Sequence, residues 1–192
     1  MHTTTRETWA AALNTLYEDE YVFVSVGPRS NHSWDADAWA VMRRDVSDPR
    51  GWAGQDWDKD RNDQPTGVGR RDFPFNVVST EQISRNLHEI DADSAERLLV
   101  ALMNDWCHIT EVPGFQENPE GLLIAARTLI SRFAKSRTCY TNLTEARDTR
   151  TPNLDARNAG PGWTPFTEYT ADYGLAVVSD SEVGIFWSFN PV

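Results

Sequence analysis

The chain has 192 residues, of which 40% are hydrophobic, so it is long and apolar enough for one domain with a proper core. Its 29 acids outnumber its 18 Lys and Arg, for a formal net charge of −11. This disfavours nucleic acid and anionic membranes as partners and permits attraction to a basic protein. No stretch approaches the roughly 18 apolar residues of a membrane span, and no apolar run follows the start of the chain. Two cysteines, Cys107 and Cys139, are too few for a secreted disulfide scaffold, so the expected location is the cytoplasm.

Residues 4–19 read as a helix. Thr4 and Glu7 fit a capping box, and Trp9, Ala12, Leu13, Leu16 and Tyr17 share one face. Residues 21–26 follow as a strand by their β-branched and aromatic content, and Gly27-Pro28 closes it as a turn. Residues 38–42 are expected as a second strand ending at Arg43-Arg44. A helix competes there, because Ala, Met and Arg are good helix formers. Residues 45–71 form the longest irregular stretch, and Trp52 and Trp57 within it argue against simple disorder.

Residues 73–79 read as a third strand, edge-like because of Pro74. Ser79 and Thr80 open a short helix through Ile83, Leu87 and Ile90. Asp93 with Glu96 caps the next helix, whose buried stripe is Ala95, Leu98, Leu99, Leu102 and Trp106. Asn118 as N-cap, with Pro119 behind it, makes the clearest helix start in the chain. That helix turns Leu122, Ile124, Ala126, Leu129, Ile130 and Phe133 inward, and Arg132, Lys135 and Arg137 complement its C-terminal dipole. Residues 138–141 read as another strand and 142–168 as a second long loop. Residues 173–179 and 184–190, joined by the polar link 180–183, form a β-hairpin with one face packed against the other elements. The fold class that follows is α+β: a mostly antiparallel sheet with a C-terminal β-hairpin, packed against two to four helices.

No catalytic motif, cofactor fingerprint or metal-ligand spacing survives inspection. The run from Asp56 begins like a calcium loop, but its sixth position is Arg61 and its twelfth Gly67, where Gly and Glu are needed. Cys107 and His108 are adjacent, so on a helix their side chains diverge, and Cys107 reads as a buried thiol. Between residues 73 and 125 there are nine acids and two arginines, a local excess of seven within the total of −11. Glu89, Asp91, Asp93 and Glu96, with Trp163, are therefore the candidate surface for a basic protein partner. Solvated helix faces and capping acids are the competing explanation. The expected function is a non-enzymatic, acidic protein-binding module of the inhibitor or immunity type. The alternative is a phosphorylated-ligand or nucleotide site, binding or enzymatic, built from Arg43, Arg44, Arg70 and Arg71 with Trp52 or Trp57 as a stacking wall.

Overall fold

The computed structural model describes residues 4–18, 20–30, 33–52, 54–56, 72–76, 79–156 and 162–190. The expectations for Trp57, Arg61, Gly67, Arg70 and Arg71 lie outside these residues. The elements are α1 (Arg6–Tyr17), β1 (Val22–Pro28), α2 (Trp34–Met42), β2 (Gln55–Asp56), α3 (Thr80–Asn86), β3 (His88–Ile90), α4 (Ala92–Ala101), α5 (Pro119–Ser131), β4 (Thr138–Thr141), β5 (Ala171–Val178) and β6 (Glu182–Asn190). Short 3-10 turns occur at Ile109–Glu111 and Thr144–Arg147. No described helix is long and apolar enough to cross a membrane.

The strands form one antiparallel sheet in the order β2-β1-β6-β5-β4-β3. The C-terminal hairpin is its centre: β6 pairs with β5 on one side (Leu175↔Phe186) and with β1 on the other (Phe23↔Trp187). This is the α+β architecture expected from the sequence. The hairpin is not half-buried, however, because every residue of β5 and β6 is buried. Side chains alternate between two cores. Val22, Val24, Tyr173, Leu175, Val177 and Phe186 meet α1, α4 and α5. Phe23, Ala176, Ile185, Trp187 and Phe189 meet α2, α3 and Phe75. A strand covered on both faces reads as an unbroken apolar run, as these two do. Gly174 is required on the second face: a Cβ there would overlap the paired Trp187 indole.

Several boundaries differ from expectation for local reasons. The cap of α1 is Thr5, not Thr4. Thr8 N–H donates to Thr5 Oγ1 (3.3 Å) and Thr5 N–H to Thr8 Oγ1 (2.9 Å). β1 runs through Gly27-Pro28 instead of turning there, pairing Pro28 with Glu182. Residues 38–42 are the second half of helix α2. Asp35 and Asp37 in its first turn favour the dipole, and Ala38, Val41 and Met42 are buried at helical spacing.

Residues 73–76 do not join the sheet. Phe75 makes one bridge to Thr167, and Asn76 N–H donates to Phe166 O (2.9 Å). Phe75 is buried edge-on against Phe23, Trp187 and Phe189, with ring centroids 5.3–6.0 Å apart. α4 is capped by Asp91, whose Oδ1 accepts from Ser94 N–H (2.8 Å), so the helix starts and ends earlier than the Asp93 reading implies. Trp106 falls beyond it and is 48% exposed. α5 starts at the expected Asn118 cap. Its buried arc is Leu122, Ala125, Ala126, Leu129 and Ile130, which leaves Ile124 outside and 53% exposed.

Candidate functional site

The arginine–tryptophan constellation does not assemble among the described residues. Arg44 donates to Asp56 Oδ1 (2.9 Å) and to Phe73 O (2.6 Å), and its guanidinium lies 5.2 Å from the Phe23 ring centre. It ties the end of α2 to β2 and to the segment before Phe75. Arg43 pairs with Asp45 (3.1 Å) and lies over Trp39. Trp52 belongs to the opposite face of the sheet. There it sits 6.0 Å from Trp9, with the Arg132 guanidinium 4.8 Å and the Arg50 guanidinium 5.1 Å from its ring centre.

Arg132 is the hub of a buried ionic knot. It was expected near the α5 C-terminus as a complement to the helix dipole, and it is the C-cap there, with its side chain 0% exposed. It binds both carboxylate oxygens of Asp48 and donates to Glu182 Oε1 (2.8 Å). Arg50 also bonds Glu182 (3.0 Å) and donates to Arg132 O (3.1 Å). Asp48 further accepts from the N–H of Arg50 (2.8 Å) and of Trp52 (2.9 Å). Burial alone would raise the Asp48 carboxyl, but Arg132 and the two backbone donors outweigh it and hold the group below its usual range. These contacts fasten the loop after α2 to α5 and to the start of β6. Their geometry is that of a clamp, in which Arg132 Nε alone of the guanidinium nitrogens has no hydrogen-bond partner among the described residues.

A second buried carboxylate, Asp172, fastens the loop before β5. Its oxygens accept from Phe166 N–H (3.1 Å), Thr167 N–H (3.0 Å), Thr167 Oγ1 (2.9 Å), Trp187 Nε1 (3.0 Å) and Asn142 Nδ2 (3.1 Å). Burial pushes its carboxyl up, against the pull of these donors. Trp163, expected as a contact residue, belongs to the same fastening. It is half-buried, meets Tyr173 edge-on at 5.1 Å, and its backbone bridges to Leu143.

The acidic set is largely engaged locally. Glu89 pairs with Arg150 (3.1 Å) and Glu96 with Arg127 (2.7 Å), while Asp91 caps α4. Asp93 is exposed in the first turn of α4. Cys107 and His108 lie beyond the helix. Cys107 is wholly buried, and desolvation pushes its thiol up, which suits an inert residue better than a nucleophile. Among the described residues, no group of three or more His, Cys, Asp or Glu is placed to hold a metal ion.

The feature that periodicity concealed is the connector from α4 to α5. Asn104 Oδ1 accepts from Trp106 N–H (3.1 Å) and His108 N–H (3.0 Å), bracing a tight turn. Cys107 completes it at a φ of 58°. Trp106 stands out on this turn beside exposed Asp105, with exposed Glu111 and Glu117 on the same connector. Residues 98–126 contain no Lys or Arg. That gap and the turn-forming Asn104 were the available sequence signals.

Compared with known protein families, with curated proteins and with solved structures, the chain matches none.

Proposed function

We propose that the protein is a non-enzymatic binding module of the inhibitor or immunity type, and that it engages a basic protein partner through the α4–α5 connector. The observation that carries this reading is Trp106: a large apolar side chain, 48% exposed, on a braced turn within an acidic segment free of Lys and Arg. Tryptophan is enriched at binding hot spots, and a rigid aromatic loses little entropy when it docks. Acids around such an anchor steer a basic partner and speed association. The surface moves away from Glu89, Asp91 and Glu96, whose carboxylates serve contacts within the chain.

The test is quantitative binding of a partner captured on the immobilised protein. Trp106→Ala is expected to weaken it by about 30-fold, the loss of a hot spot of about 2 kcal/mol. Asp105→Asn with Glu117→Gln is expected to slow association and flatten its salt dependence. A partner bound equally by all three proteins refutes the assignment of this surface. Turnover of a small molecule by the purified protein refutes the non-enzymatic reading.

A further inference from the structure

The edge strand β3 is flanked by two polar grooves at the opposite end of α4 from Trp106. The smaller, about 200 Å³, is lined by Glu89, Asp91, Lys135, Arg137, Thr138 and Arg150. The larger, about 390 Å³, takes in His88, Arg147, Asp148, Thr149 and Arg150. Four cationic side chains thus gather at one edge of a chain that carries 18 Lys and Arg against 29 acids. They come from two separate segments, the α5–β4 turn and the stretch from the end of the second 3-10 turn to Arg150.

The acids present do not cancel them evenly. Asp91 gives one carboxylate oxygen to the cap of α4, and Glu89 is spent on Arg150 alone. Lys135 and Arg137 have no carboxylate within ion-pair distance among the described residues. Arg137 Nε and His88 Nε2 are buried without a hydrogen-bond partner among them. Burial and the Arg147 charge, ahead of the opposing pull of Asp148, push the His88 imidazole below its ordinary value. Across the two grooves, four cations face three carboxylates, Glu89, Asp91 and Asp148. The Arg137 Nε–H is a certain donor, and an unmatched buried N–H costs about 1–3 kcal/mol.

We propose that this edge binds a small phosphorylated molecule, with its phosphate among Lys135, Arg137 and Arg150 and the remainder lying along β3 toward Arg147 and His88. A phosphate suits three converging cations because its oxygens accept from several directions and an arginine engages two of them at once. The ligand is small because the grooves are small, and because a chain of net charge −11 repels extended polyanions and anionic membranes. The site is separate from the Trp106 surface, and either can fail without the other.

Calorimetric titration with inorganic phosphate and with pyrophosphate, at ionic strength held constant with sodium chloride, tests it. Saturable binding is expected, weakened about tenfold in Arg137→Gln and in Lys135→Gln, each of which removes a charge-assisted contact. Arg6→Gln, at the start of α1, is expected to bind like the parent. Glu89→Gln removes the carboxylate that competes for Arg150, so it is expected to bind more tightly. This last variant keeps the proposal falsifiable if a cationic variant folds poorly. No heat beyond the chloride control, equal binding by Lys135→Gln and the parent, or weaker binding by Glu89→Gln overturns it.

Discussion

Replacing Arg132 by Met tests whether the buried knot fastens the loop after α2 to α5 and β6. The substitution keeps most of the aliphatic volume and deletes a guanidinium that is 0% exposed. Glu182, whose side chain is 4% exposed, is left with Arg50 as its remaining cation. Asp48 is left with two backbone donors. Breaking a buried ion pair from one side costs about 3–5 kcal/mol, because the orphaned charge stays desolvated. A domain of this size carries about 5–15 kcal/mol in all, so the loss is a large share of it. At about 2–4 °C per kcal/mol the melting point falls by about 6–20 °C. Urea unfolding followed by circular dichroism gives the free energy. Tryptophan emission reports locally, since Arg132 lies over both Trp9 and Trp52. The double variant Arg132→Met with Glu182→Gln removes the orphaned charge and is expected to recover part of the loss. A single-variant cost below about 1 kcal/mol, or strict additivity in the double variant, refutes the reasoning.

Asp172→Asn turns an acceptor for five donors into a group with one acceptor and an NH2, and is expected to cost about 2–3 kcal/mol in urea unfolding, with earlier proteolysis in the loop at 162–168. The Asp48 carboxyl is depressed in the folded state, so its stabilising contribution is present above the unfolded value and lost as pH falls through the folded one. Urea midpoints measured downward from pH 5 are therefore expected to fall more steeply for the parent than for Asp48→Asn, and parallel curves count against the linkage.

What was legible in the sequence is what short-range physics sets. Asn118-Pro119 announces α5 because a cap and a fixed φ are local properties. The hairpin is legible because two apolar runs flank a polar link. Its second buried face is not, because an apolar run in a strand looks alike whether one or two layers cover it. α2 reads as a strand when the window begins at Ala38, and its helical period emerges only from Trp34 onward. Trp106 extends the α4 stripe on paper, but the Asn104 turn ends the helix first. The partners of Arg132 lie 84 and 50 positions away, at Asp48 and Glu182, beyond the reach of any local pattern. Trp52 and Arg44 lie close in sequence yet pack on opposite faces of the sheet, and that separation undoes the first candidate pocket.

The same two-sided burial bears on where function can reside. A sheet open on one side offers a face for a ligand, whereas this one gives both faces to helices. Its buried charges, Arg132 and Asp172, are bound by partners within the chain and hold loops in place. Recognition is then left to the margins, where polar groups reach solvent without opening a core. Two margins carry features that packing does not explain. At one end of α4, Trp106 is exposed at a cost in hydration that the fold does not require. At the other end, Arg137 and His88 keep buried nitrogens unmatched among the described residues. Both are small penalties in the free chain, and a partner or ligand of the right chemistry removes each of them on binding. Binding should therefore raise stability at each margin separately, and the two increments should add if the sites are independent.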